Sequence, residues 1–397
     1  MPQLAVHNEC TGCAACVNIC RRDAIVMRRD DEGFAYPSVD ASKCVNCGMC
    51  TKVCPALQQG QERRPSAVYA AKAKSDEIRL ASSSGGVFTL LARQVINQGG
   101  VVYGAAFDGK WKLVHQAAEN EAELAALRGS KYLQSEIGDC YRQVGKALTE
   151  GRAVLFTGTP CQVAGLDRYL QQARVAQERL LKVEVVCHAA PSPLVWEKYI
   201  AARKAALASG GDSPSIGGDE LRRISFRRKN CGWKRYSLSL GFANDKEYLA
   251  IFNTDPFMRG FLAELYNRPS CHNCPCKNLK SGADLTIGDY WGVEAQYPEM
   301  DDDMGTSLVL VNTDKGRVAW EAITQEIDWC EATFEGACRA NSALVKPTRP
   351  HAKREKFFRR LGKESFDQLV NRLLRTTFRI RIRSLVGRVL RKLGLRK

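Results

Sequence analysis

Cys10-Thr11-Gly12-Cys13-Ala14-Ala15-Cys16-Val17-Asn18-Ile19-Cys20 and Cys44-Val45-Asn46-Cys47-Gly48-Met49-Cys50-Thr51-Lys52-Val53-Cys54-Pro55 share one spacing: three cysteines, each separated by two residues, then a fourth after three more. Three thiols so spaced wrap one corner of an iron–sulfur cube, while the fourth points away and closes a second cube. The crossed assignment gives Cys10, Cys13, Cys16 and Cys54 to one 4Fe–4S cluster and Cys44, Cys47, Cys50 and Cys20 to the other. A pair of zinc sites is the rival reading, but a doubled four-cysteine run with crossed closure is not the usual zinc spacing. Arg21 stands where proline often follows the fourth cysteine, a change of turn that removes no ligand.

Working outward, residues 1–58 are expected to form a small dicluster ferredoxin-type domain, and the polar run from Gln58 to Pro65 reads as a linker. From Ala67 the texture becomes α/β. AVYAAKA, VVYGAAF, RAVLFTGT and LLKVEVVCH predict strands; VFTLLARQVINQ and VAGLDRYLQQ predict helices between them. This is the alternation of a covered sheet. After the turn-rich break from Ser209 to Asp219, ISFRRK, YSLSLGF and EYLAIF alternate like antiparallel strands, and ADLTIGDYWG and TSLVLVNT predict two more. The expected fold class is α+β: the dicluster domain, an α/β core over residues 67–345, and a basic helical tail over 346–397.

Seventeen cysteines in 397 residues, an odd number, suit metal ligation better than a disulfide framework. The start MPQLAVHNEC has no apolar signal region and no run is long enough to span a bilayer, so a cytoplasmic location is the default. The net charge of +16 is concentrated: residues 346–397 carry eighteen Lys and Arg against three acids, leaving the body near neutral. That distribution, with no nucleic-acid module, argues against nucleic acid as a partner.

Four further cysteines sit where ligands are expected. Cys161 in GTPCQV and Cys187 in VVCH lie at strand ends, and Cys271 and Cys274 form a Cys-x2-Cys pair. By spacing alone they either complete a third cube or are buried structural thiols. Cys140, Cys231, Cys330 and Cys338 fall in no metal spacing and read as core or surface thiols.

SSSGGVFTLL, LRGSKYLQS, GTPCQVAGL, VVCH and CHNCPCKNLKSGADLTIGDYWG, in that order over roughly residues 67–315, resemble the coenzyme F-420 hydrogenase/dehydrogenase beta-subunit family, in which a preceding ferredoxin module is frequent. The resemblance implies a flavoprotein core holding FAD and one 4Fe–4S cluster, with hydride moving to or from a deazaflavin or another acceptor. It assigns the cluster to Cys161, Cys187, Cys271 and Cys274, although Cys276 beside the pair leaves the choice among the last three open.

The flavin pocket is less marked. No G-x-G-x-x-G follows a strand. Ser83, Ser84, Gly85 and Gly86 would present N–H groups to a phosphate at a helix N-terminus, or simply cap the helix. Lys131 would neutralise a phosphate or a reduced flavin, or be a solvated charge. Thr157, Gly158 and Thr159 lie at a strand end, where α/β folds bind ligands. His188 and His272 adjoin cluster cysteines and read more simply as structural imidazoles than as proton relays, and Trp291 as core.

The expected function is an iron–sulfur flavin-dependent oxidoreductase that links a small-molecule hydride donor or acceptor to a one-electron redox protein or ferredoxin. The alternative is a non-catalytic electron-relay subunit. In the tail, Phe366, Leu369, Val370, Leu373 and Leu374, then Leu385, Val386, Val389, Leu390 and Leu393, form an apolar stripe flanked by Arg372, Arg375, Arg388, Arg391 and Lys392. Such a stripe suits peripheral attachment to an anionic membrane surface or to an acidic partner, or equally packing on the protein's own core.

Overall fold

The computed structural model describes residues 2–208, 220–243 and 245–375. Among these residues, thirteen strands form three sheets: β1 (Ile25–Arg29), β2 (Ala35–Val39), β3 (Ala67–Ala73), β4 (Val101–Phe107), β5 (Leu113–Ala118), β6 (Val154–Gly158), β7 (Leu180–Val185), β8 (Leu221–Arg228), β9 (Ser237–Phe242), β10 (Glu247–Ile251), β11 (Leu285–Asp289), β12 (Ser307–Val311) and β13 (Ile327–Glu331). The large sheet runs β13-β3-β12-β11-β7-β6-β4-β5. Its middle four strands, β11, β7, β6 and β4, are parallel, and the flanking pairs are antiparallel.

The chemistry of β6 explains its place. VLFTG is buried at every position, as a strand covered on both faces requires. One face of the sheet packs on the helices Val87–Asn97 and Asp314–Glu321 through Leu90, Leu91, Val183, Val309 and Trp320. The other face packs on the helices Cys140–Thr149 and Pro160–Ala173 through Val144, Phe156, Leu166 and Leu170.

The cysteine-rich module, with the β1–β2 hairpin and the helix Ala15–Ile19, is built into that second core: Cys13, Ala15, Ile19, Cys50 and Val53 are buried against the same helices. Arg142 clasps it, donating from Nε to the Asn18 carbonyl at 2.8 Å and from Nη to the Cys20 carbonyl at 3.0 Å.

The antiparallel sheet β10-β9-β8 forms a third core with the helices Pro193–Ala208 and Pro256–Leu262. Residues 346–375, expected to lead away as a tail, complete this core through the helices Arg354–Arg360 and Phe366–Leu374. Phe357, Phe366, Leu369, Val370 and Leu373 are buried there. Of the two readings of the stripe, its first half takes the second: its apolar side packs on the helices Pro256–Leu262 and Pro193–Ala208, with Phe366 against the Tyr199 and Phe357 rings. The second half, Leu385 to Leu393, lies outside the described residues. Among those described, no helix is long and apolar enough to cross a membrane.

Candidate functional site

Cysteines from the two runs of the first module crowd one another in the fold. The thiol of Cys13 is raised by burial and then by Cys54 and Cys16, and that of Cys16 by burial and then by Cys10 and Cys54. Cys50 is raised by burial and, among its neighbours, by Cys47 and Cys20. Buried thiols that crowd one another hold their protons; iron binding releases those protons and turns the crowding into ligation. Cys47 is exposed, whereas Cys10, Cys13 and Cys50 are buried.

The core quartet converges from three elements. Thr159 and Pro160 open the helix Pro160–Ala173 at the end of β6, and Gln162 Oε1 accepts from the Thr159 N–H at 3.0 Å, fixing that first turn. Cys161 lies within it, where the helix dipole favours a thiolate, with Thr159 Oγ1 3.3 Å from its sulfur. Cys187 follows the end of β7, and Cys271 is on the short turn Pro269–Asn273. Burial pushes Cys161 up to about 11 and Cys271 up to about 12, and each also feels Cys274. Cys187 is raised by burial and feels Cys271, Cys161 and Cys274. Cys274 is drawn down toward thiolate, chiefly by the Cys276 S–H beside it. Cys276 stays beside Cys274, feels Cys161 and Cys13 as well, and also borders a small cleft with Pro55, Ala164 and Lys280. Among the described residues no three His, Cys, Asp or Glu side chains form a single-ion site.

A cavity of about 780 Å³ opens on this quartet, large among small-molecule sites. It lies at the carboxyl ends of the parallel strands, where β6 contributes Thr157 and Gly158, β7 contributes Val185, and β11 contributes Gly288 and Asp289. Of the eight candidate flavin residues, Ser83, Ser84, Gly86, Lys131, Thr157, Gly158 and Thr159 line it. Gly85 does not: a Cβ there would stand 2.3 Å from the Ala71 carbonyl oxygen, and its N–H donates to Ser307 Oγ at 2.9 Å. Gly86, with φ +95°, starts the helix Val87–Asn97, whose leading N–H groups lack partners within the helix. Lys131 spends its ammonium on the Leu127, Arg128 and Gly129 carbonyls at 3.0, 2.9 and 3.3 Å, and burial pulls it down to about 7.

Several lining residues escaped sequence reasoning. Arg227 on β8 is buried, with Nη 3.1 Å from Asp289, and lies over the Tyr236 ring at 3.9 Å and the Trp291 ring at 5.1 Å; its Nε is buried with no hydrogen-bond partner among the described residues. Trp291, expected as core, therefore borders the cavity while stacking on Trp233 at 4.9 Å. His115 on β5 has Nε2 3.0 Å from the Thr157 carbonyl and Nδ1 2.8 Å from Ser135 Oγ, and burial lowers it to about 4, so it is neutral. Lys277 donates to the Cys187 carbonyl at 2.6 Å. His188, which lines the cavity, has Nε2 2.6 Å from Glu264; His272 Nδ1 is 3.1 Å from Thr348 Oγ1, and its Nε2 is buried with no hydrogen-bond partner among the described residues. Apolar and aromatic walls, a helix N-terminus and a buried guanidinium suit an aromatic, anionic ligand; crowded thiols beside buried cations suit an anionic cluster.

These features define a class: an iron–sulfur protein whose dicluster module is built into a mixed α/β unit with a thiol-walled cavity. Residues 9–57 match the 4Fe-4S dicluster domain, residues 68–140 the N-terminal part of the coenzyme F420 hydrogenase/dehydrogenase beta subunit, and residues 151–333 its C-terminal part. The chain belongs to the coenzyme F420 hydrogenase/dehydrogenase beta-subunit family.

Similar curated proteins include an uncharacterised protein of Methanocaldococcus jannaschii, 26% identical over 195 residues, covering 41% of this chain and 53% of that protein. The coenzyme F420-dependent sulfite reductase of the same organism is 31% identical over 165 residues, covering 33% of this chain and 26% of that protein. The matched region is thus about half of the first relative and a quarter of the second. Among solved structures, a chain of the F420-reducing NiFe hydrogenase complex from Methanosarcina barkeri aligns with a TM-score of 0.46 at 17% identity, over 78% of this chain and 91% of that one.

Proposed function

We propose that the chain is an iron–sulfur flavoprotein oxidoreductase, exchanging electrons between a hydride donor or acceptor, deazaflavin-like or other, and a one-electron redox protein or ferredoxin. The observation that supports it is the shared cavity: Cys161, Cys187, Cys271 and Cys274 line the same space as seven of the eight candidate flavin residues. FAD bound there would supply the exchange between a two-electron hydride and single electrons. Gly86 and the first turn after it would face a phosphate. Arg227, held by Asp289, would present a fixed guanidinium donor to the ring system, flanked by Tyr236 and Trp291. Neutral His115 holds the Thr157 carbonyl and, through Ser135 and Gln162, the β6 end that carries Thr159. From the cavity the cluster ligands run in sequence toward solvent: Cys161 beside Cys13, Cys16 beside Cys50, then exposed Cys47.

The test is anaerobic purification, reconstitution with FAD, and flavin extraction. About one noncovalent FAD per chain is expected, as one two-to-one electron converter requires. Stopped-flow spectra after mixing with a hydride donor should show flavin bleaching ahead of the clusters. A chain with all clusters and no flavin would leave the second reading, a non-catalytic relay subunit. One observation favours that second reading: the Lys131 ammonium is fully engaged by backbone carbonyls.

A further inference from the structure

Arg268 lies immediately before the turn that carries Cys271 and is 2% exposed. Its guanidinium reaches across to the dicluster module. Nε donates to the Cys10 carbonyl at 2.9 Å, one Nη to the Ala35 carbonyl at 2.8 Å, and the other to Gln134 Oε1 at 3.3 Å. The Nη on Ala35 is also 4.0 Å from Cys10 Sγ. The Tyr36 and Phe34 rings complete the enclosure, with centroids 4.5 and 5.5 Å from the guanidinium carbon. Gly12 makes room for it: a Cβ there would stand 2.8 Å from Nη1.

Among the described residues, Arg268 has no carboxylate partner; its hydrogen bonds go to carbonyls and an amide. A guanidinium stays charged at any pH the protein meets, and burying an unanswered charge is strongly unfavourable. Within its reach lie thiols that cluster ligation would make anionic. Cys10 is in contact, and Cys161 and Cys271 both feel its charge. A cluster ligated by four thiolates is an anion, and taking up one electron adds one more negative charge.

We propose that Arg268 is the shared counter-charge of two clusters, the one ligated by Cys10 and the one ligated by Cys161 and Cys271, and that it raises the reduction potential of both. It is a positioning residue as well, since the same fork ties the Cys10 loop to the Cys271 turn. The proposal rests on the three-cluster reading above. The cluster of Cys20, Cys44, Cys47 and Cys50 lies beyond Cys16 and serves as an internal control.

The experiment is an EPR-monitored redox titration of the full chain, purified without oxygen. Arg268→Met removes the charge and keeps most of the volume; Arg268→Lys keeps the charge and loses the fork. Gln134→Glu keeps Arg268 in place and answers its charge with a carboxylate, so the test stands even if Arg268→Met does not fold. Arg268→Met and Gln134→Glu should each lower two of the three potentials by a tenfold or greater change in the reduction equilibrium, about 59 mV for one electron. The third potential should stay fixed, and Arg268→Lys should restore at least half of the shift. Unmoved potentials in Gln134→Glu and in any folded Arg268→Met protein overturn the proposal, as does an equal shift of all three clusters. Wild-type iron content separates the two failures: about eight irons per chain would sink the three-cluster reading, whereas about twelve with unmoved potentials would sink only the role of Arg268.

Discussion

Cys13 lies directly on Gly165: a carbon added to that glycine would stand 3.2 Å from both Cβ and Sγ of the cysteine. Gly165 is one turn along the helix from Cys161, so a single helix carries a candidate ligand of the core quartet and the floor under a candidate ligand of the dicluster module. Gly165→Val, which would also meet the Tyr141 hydroxyl at 2.9 Å, should therefore push both Tyr141 and the Cys13 loop away. The expected outcome is a loss of about four irons per chain, with the other two clusters retained. The overpacking should lower stability by about 1–3 kcal/mol. Iron analysis and EPR of the anaerobic variant check both.

Crossed ligation makes a pairwise prediction. Cys54 neighbours Cys13 and Cys16, while Cys20 neighbours Cys50. Cys54→Ala should lose the same EPR signal as Cys13→Ala, although the two are far apart in sequence. Cys20→Ala should match Cys50→Ala and differ from Cys16→Ala. Identical spectra for Cys16→Ala and Cys20→Ala would refute the crossing.

His115 predicts an acid dependence of stability. Burial depresses it from 6.5 to about 4, so the unfolded chain binds a proton that the folded chain refuses. Its contribution to stability is fully present above pH ~6.5, falls as pH drops from there toward 4, and is lost below. Over that window the loss is roughly 3 kcal/mol. His115→Gln should be less stable at neutral pH because Ser135 Oγ and the Thr157 carbonyl lose their fixed partner, yet its stability should vary less between pH 6.5 and 4. Denaturant midpoints measured across that range decide the point.

Leu369 is fully buried in the third core. Leu369→Ala should cost about 2–5 kcal/mol, read as a fall in the thermal or denaturant midpoint. A residue of a lipid-facing helix would give almost no change.

The outcome for Leu369 illustrates what sequence can and cannot carry. Its helical period marks an apolar face, but the same period serves a helix on a membrane and one packed on the helices Pro256–Leu262 and Pro193–Ala208. Strands such as VLFTG and SLVLV are legible because both their faces are buried, and the cysteine spacings because cluster geometry is local. Seven of the eight flavin candidates do reach the cavity; Gly85 reads like them because a glycine needed near a ligand looks the same as one needed near the Ala71 carbonyl. Arg268, Arg227 and His115 carried no local signal. Their partners are Cys10, Asp289 and Thr157, contacts that only the folded topology creates.

The central claim is that Cys161, Cys187, Cys271 and Cys274 hold a third cluster at the cavity wall. Iron content per chain, measured on anaerobically purified and fully loaded protein, tests it most directly. The account predicts about twelve irons in the wild type and about eight in Cys187→Ala. About eight in the wild type, unchanged in Cys187→Ala, would contradict it.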